Sequence, residues 1–182
     1  AISCSGTPYW TGTVTAHGDG VVRTQPVRIA KAGFYTFHER IVGWLEKRRP
    51  DPPLWPASLG RRAEVDVFIE WFNKVWKAPP NAMAAQLAAP EPDRRRLHAL
   101  SDELRGWLHL FEEMLDGRDW LMGEAFGAAD VCAFPFLKYG VLELRPDDTD
   151  PFHHVLAEHL PITGAFPEIE AWVHRVDALP RA

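Results

Sequence analysis

Apolar residues recur at helical spacing through most of the chain beyond residue 58. Val65, Phe68, Ile69, Phe72, Val75 and Trp76 mark one face of a helix over residues 63–77. Leu97, Leu100, Leu104, Trp107, Leu108, Phe111 and Leu115 mark a long amphipathic helix over residues 94–115. Residues 128–141 are apolar almost all round (Val131, Ala133, Phe134, Phe136, Leu137, Val141), which predicts a helix enclosed by others. Pro135 falls inside it and is expected to kink it, because the bond to Val131 is lost. Shorter helices are predicted over residues 152–160 and 166–176. Pro167 and the early acidic, late basic charges suit the ends of the second. Residues 78–92, rich in Ala and Pro, read as a loop, and residues 145–150 as an acidic loop.

The pattern before residue 58 is different. Residues 11–14 and 21–24 read as short strands around the turn His17-Gly18-Asp19-Gly20. Residues 25–29 read as a further strand entered through Pro26, and Lys31-Ala32-Gly33 as a turn. Residues 34–48 carry Phe37, Ile41, Trp44 and Leu45 on one helical face. Four prolines among Pro50, Pro52, Pro53 and Pro56 then forbid a helix and predict an extended linker. The organisation expected is a small α/β portion over residues 1–48, a linker over 49–57, and an all-helical domain over 58–182.

Composition narrows the class. At 46% hydrophobic, with eight Trp and ten Phe, 182 residues can build a substantial aromatic-rich core. A net charge of -5 argues against general nucleic-acid binding, and no run of about 18 apolar residues marks a membrane span. No charged-then-apolar leader opens the chain. Cys4 and Cys132 are the only cysteines; a structural disulfide is not expected, and a reducing cytoplasm is the default location. His153, His154 and His159 have no further ligand at metal spacing and read as surface residues, so no metal is expected. Arg94-Arg95-Arg96 reads as a solvated helix start.

Residues 117–141 hold the chain's most specific motif. Gly127 stands where a helix cap belongs, and Asp130, three residues on, can reach back to free N–H groups of the first turn. Loss of such a cap costs about 1–2 kcal/mol. Gly123 and Phe126-Gly127-Ala128-Ala129-Asp130-Val131 resemble the "Gly, then Ser/Thr-x-Ala-Asp" segment of cytosolic glutathione transferases, with Gly127 in the place of Ser or Thr. Trp44-Leu45-Glu46 before the linker resembles that family's "Tyr-Leu-Glu", and Phe166-Pro167-Glu168-Ile169-Glu170-Ala171-Trp172 its "Phe-Pro-x-Leu-x-x-Trp". The resemblance covers roughly residues 34–179. It implies a mainly α fold: a transferase-type C-terminal helical bundle with a small thioredoxin-like N-terminal portion.

The resemblance also implies chemistry. In the family a Ser, Tyr or Cys stabilises the glutathione thiolate, and Cys4-Ser5-Gly6-Thr7-Pro8-Tyr9 resembles the family's "Gly-Ser-Pro-Tyr" loop, which makes Ser5 and Tyr9 the catalytic candidates and leaves Cys4 as an ordinary terminal cysteine. Gln25-Pro26-Val27 falls at the cis-proline segment that holds the cysteinyl part of glutathione, and Phe37-His38 at the family's Glu/Asp-Ser pair. Neither Phe37 nor His38 reproduces that pair. Only 25 residues precede Pro26, so the N-terminal portion is abbreviated or incomplete against the family pattern. Trp71, Phe72 and Trp76 fall on the helix that lines the family's hydrophobic co-substrate pocket, and equally fit core or dimer interface. Two classes remain: an enzyme using glutathione as co-substrate to conjugate or reduce a small hydrophobic electrophile, and a non-catalytic module of the same fold for assembly or ligand holding. The resemblance further implies a homodimer, joined through residues 63–77 and 94–115.

Overall fold

The computed structural model describes residues 14–16, 22–24, 42–44, 46–48 and 50–180. The chain divides into two units, Ala1–Trp44 and Leu45–Ala182. In the first, β1 (Val14–Ala16) and β2 (Val22–Thr24) form an antiparallel pair in the register Val14↔Thr24, Thr15↔Arg23, Ala16↔Val22. The second strand lies within its expected span; of the first strand's expected span, 11–14, only Val14 is among the described residues. Residues 42–44 and 46–48 are helical and belong to the segment expected as helix over 34–48.

The second unit is helical. Its elements are α1 (Leu59–Trp71), a π-helical turn (Phe72–Trp76), α2 (Ala78–Leu87), α3 (Arg94–Leu115), α4 (Ala128–Leu137), a 3-10 turn (Lys138–Gly140), α5 (Pro151–His159) and α6 (Pro167–Asp177). α1 starts four residues ahead of its apolar pattern, because the Ser58 carbonyl already accepts from the Arg62 N–H at 2.9 Å. Its continuation departs from α geometry. The Lys77 N–H bonds the Phe72 carbonyl, five residues back, at 3.1 Å. That wider turn carries Phe72 and Trp76 into the core with their rings stacked at 4.5 Å and 9°.

Residues 78–87, expected as loop, are helix α2. Pro79 and Pro80 lie in its first turn, where a missing N–H breaks no bond, and the alanines that follow are strong helix formers. Met83 packs with Leu100 of α3 and Val155 of α5, so the segment is a core element.

Helix α3 has the bounds its pattern predicts. Asp93 caps it, accepting from the Arg96 N–H at 3.1 Å, and Leu100, Leu104, Leu108, Phe111 and Leu115 are buried along one face. From the last turns of α3, Glu112 also caps α6. Its two carboxylate oxygens accept from the Glu168 and Ile169 N–H groups, each at 3.0 Å. This replaces the cap that Phe166, at the helix entry, lacks. Helix α4 runs through Pro135 for two more residues before tightening into the 3-10 turn. Gly140 ends that turn against the next segment: a Cβ there would lie 2.6 Å from both the Leu160 carbonyl oxygen and Ile162 Cδ1.

Candidate functional site

The best-defined polar constellation is the buried start of α4. Asp130 is 1% exposed. Its Oδ2 accepts from the Gly127 N–H at 2.9 Å, and its Oδ1 from the Leu121 N–H at 3.1 Å and the Trp172 indole at 2.8 Å. Burial raises the carboxyl above the ordinary aspartate range, against the lowering effect of those donors. The expected reach-back to the first turn is therefore present and extends further. One side chain fastens Leu121 in the segment before the helix, the helix start, and α6. Gly127 has no side chain to complete a reciprocal cap. The Ala128 N–H instead donates to the Leu54 carbonyl at 2.8 Å.

The three candidates on the α1 segment have different fates. Phe72 and Trp76 are fully buried, packed edge-on against Phe111 and Phe136. They give this unit its core and offer no surface to a ligand. Trp71 keeps partial exposure and meets Trp107 edge-to-face at 5.3 Å. Around this pair lie Val67, 66% exposed, with Val75 and Leu110, also exposed. Together they form an apolar strip across α1, the π-helical turn and α3. Ser5, Tyr9, Gln25, Pro26, Val27, Phe37 and His38 lie outside the described residues.

Beneath Phe72 sits a buried lysine that the sequence reading did not single out. Lys77, 2% exposed, donates from Nζ to Asn73 Oδ1 at 2.7 Å, with Nζ 3.9 Å from the centre of the Phe136 ring. The amide oxygen and the ring faces of Phe136 and Phe72 give the buried amine polar surroundings.

A groove of about 620 Å³ runs between α4 and the end of α6. Phe126, Phe134, Leu142 and Val176 make its apolar walls, and Lys138, Tyr139 and Asp148 are polar members of its lining. The Tyr139 ring stacks on His153 at 4.5 Å, and His153 Nδ1 lies 2.8 Å from Asp148 Oδ2. Burial, then the charges of Asp148 and Asp150, push the Tyr139 hydroxyl up to about 12, so it stays protonated at neutral pH. His153 was expected as a plain surface residue. It is instead half-buried between a ring and a carboxylate. Sequence spacing gave no sign of this, because the contact joins three separate segments. Among the described residues no cluster of three His, Cys, Asp or Glu side chains suits a metal. No helix there is long and apolar enough to cross a membrane.

An all-helical unit whose central helix starts on a buried aspartate is the arrangement of a glutathione transferase helical domain. The chain belongs to that family: residues 71–180 match "Glutathione S-transferase, C-terminal domain". Over 100 residues it is 28% identical to FtsZ-localized protein A of Caulobacter vibrioides, covering 51% of this chain and 44% of that protein. It is 26% identical over 100 residues to glutathione S-transferase GstB of Escherichia coli K12, covering 53% of this chain and 48% of that one. Both matches thus take in less than half of the relative. Among solved structures, a glutathione S-transferase from Rhodospirillum rubrum F11 superposes with a TM-score of 0.58 at 21% identity, covering 91% of this chain and 65% of that one. Ure2p in complex with glutathione superposes at 0.61 and 17% identity, covering 80% and 61%. These structural likenesses carry the fold.

Proposed function

We propose that this is a glutathione transferase-like protein that uses glutathione as co-substrate to conjugate or reduce a small hydrophobic electrophile. The observation that carries the reading is the family match over residues 71–180, supported by the similarity to GstB. In this reading Ser5 or Tyr9 stabilises the thiolate, and Gln25, Pro26 and Val27 hold the cysteinyl part through the backbone. Phe37 and His38 stand at the γ-glutamyl end. His38 donates to the ligand carboxylate, while nothing pairs with its ammonium. Trp71 is the member of the aromatic trio left with surface for an apolar co-substrate. The protein acts in the cytoplasm.

Calorimetry with glutathione, beside turnover of glutathione with an aryl halide, tests this. Weak binding that tightens as pH falls toward the ordinary histidine pKa of about 6.5, and is lost in His38→Ala, is the expected result. Binding that is tight at neutral and acidic pH and unaffected by His38→Ala would overturn the assignment of that end of the site. No binding at millimolar glutathione moves the chain to the second reading.

That second reading is a non-catalytic module of the same fold, used for assembly or ligand holding. Similarity to FtsZ-localized protein A favours it, as does the burial of Phe72 and Trp76 away from any co-substrate. Under either reading Val67, Val75, Trp107 and Leu110 take part in an interface with a second copy, and under the second reading Trp71 does too.

A further inference from the structure

The linker, expected to be extended, bends at Asp51–Pro52 and again at Leu54–Trp55; it is exposed over Asp51, Pro52 and Pro53, yet its centre is held down. Trp55 is 8% exposed, and its indole N–H donates to Asp66 Oδ1 of α1 at 2.8 Å. One residue earlier, the Leu54 carbonyl accepts from the Ala128 N–H, the first residue of α4. The same oxygen would lie 3.0 Å from a Cβ at position 127. Gly127 has φ −144° and ψ −172°, extended backbone open to any residue, so glycine is not required there by conformation. What its missing side chain leaves is room for the linker carbonyl.

We propose that residues 54–55 form a strap that supplies the N-terminal cap of α4 from the linker, and that Gly127 is the residue that admits it. The strap takes the first helical N–H, that of Ala128, whereas a hydroxyl at 127 would serve an N–H one or two residues further on; what conflicts with the strap is the Cβ, 3.0 Å from its carbonyl. The linker and the start of the central helix consequently open and close together. The segment entering the helical unit is fixed at Leu54–Trp55, several residues before α1 begins.

Hydrogen exchange measured by NMR on the whole chain tests this in both directions. Ala128→Pro removes the donor while keeping a residue suited to the first helical position, and Gly127→Ala crowds the acceptor. Each should speed exchange of the Trp55 indole N–H, assigned by its loss in Trp55→Phe, by about tenfold, the size of one lost hydrogen bond. Conversely, Trp55→Ala should speed exchange of the Ala128 amide by a similar factor. The Trp172 indole N–H, held by Asp130, is the internal reference and should not change. Unchanged Trp55 exchange in both variants at the helix start would overturn the proposal. So would Trp55 and Trp172 accelerating in step, since the linker would then open only with the whole fold.

Discussion

The Trp172 indole donates to the Asp130 carboxylate at 2.8 Å, joining the central helix to the last one across 42 residues of sequence. That bond makes Asp130 more than a local cap. Asp130→Ala would orphan three donors: the Gly127 and Leu121 amides and the Trp172 indole. Each buried donor left unpaired costs about 1–3 kcal/mol, so the loss should be about 3 kcal/mol or more, above the 1–2 expected of a cap alone. Asp130→Asn keeps an oxygen for two donors and turns an amide N–H toward the third, so its cost should fall between zero and that of Ala. Denaturant midpoints at constant m-value measure both; an Ala variant within about 1 kcal/mol of wild type contradicts the three-way role.

The same carboxyl sets a pH dependence. Burial, the largest influence, raises the folded-state value of Asp130 above the ordinary range. The folded state then holds the proton more firmly than the unfolded chain. Asp130's contribution to stability is greatest below the ordinary aspartate pKa of about 4, declines as pH rises through the folded value, and is level above it. Asp148 behaves oppositely. The Asp150 N–H, then the His153 hydrogen bond, lower its value. Its contribution is present above about pH 4 and lost as pH falls through the lowered value. The stability difference between wild type and Asp130→Asn should therefore shift in favour of wild type on acidification, and that for Asp148→Asn against it. Urea melts across the acid range would show the two differences moving in opposite directions; movement in the same direction contradicts the assignment.

What the sequence revealed follows how local each interaction is. Helix α3 was legible to the residue because its apolar period is strong and unbroken from Leu97 to Leu115. Helix α2 was not, because Pro79-Pro80 reads as a breaker until the preceding turn places both prolines at a helix start. The π turn left no trace: Phe72 and Trp76, four apart, fit α-helical spacing equally well. Asp130's reach to its own helix start could be read from Gly127-Ala-Ala-Asp. Its bonds to Leu121 and Trp172 could not, nor could the Tyr139–His153–Asp148 contact, since these partners are set by packing. The glutathione-contact candidates rest on the family pattern, and lie outside the described residues.

Two glycines should respond in opposite senses to the same substitution. Gly140→Ala places a methyl 2.6 Å from the Leu160 carbonyl oxygen, a backbone atom that cannot swing aside, and should destabilise by about 1–3 kcal/mol. Gly106 lies exposed within α3, with nothing within 4 Å of a Cβ. Gly106→Ala should stabilise by about 0.5–1 kcal/mol through helix propensity. Thermal melts of the two variants beside wild type decide it; shifts of the same sign would mean the approach at Gly140 relaxes.

The apolar strip on α1, the π-helical turn and α3 bears on assembly. Val67 is 66% exposed, Val75 39% and Leu110 36%, and the partly exposed Trp71 and Trp107 rings lie between the two helices. Apolar residues clustered in this way mark contact surfaces more often than isolated ones do. A two-fold dimer would bring each strip against its copy. Light scattering at micromolar concentration should give about twice 20.6 kDa. Val67→Asp with Leu110→Asp puts charges into the middle of that contact without touching a buried side chain, and should return the mass to that of one chain with the helical circular dichroism unchanged. A wild-type mass near 20.6 kDa, or a double variant that remains dimeric, would remove this strip as the interface.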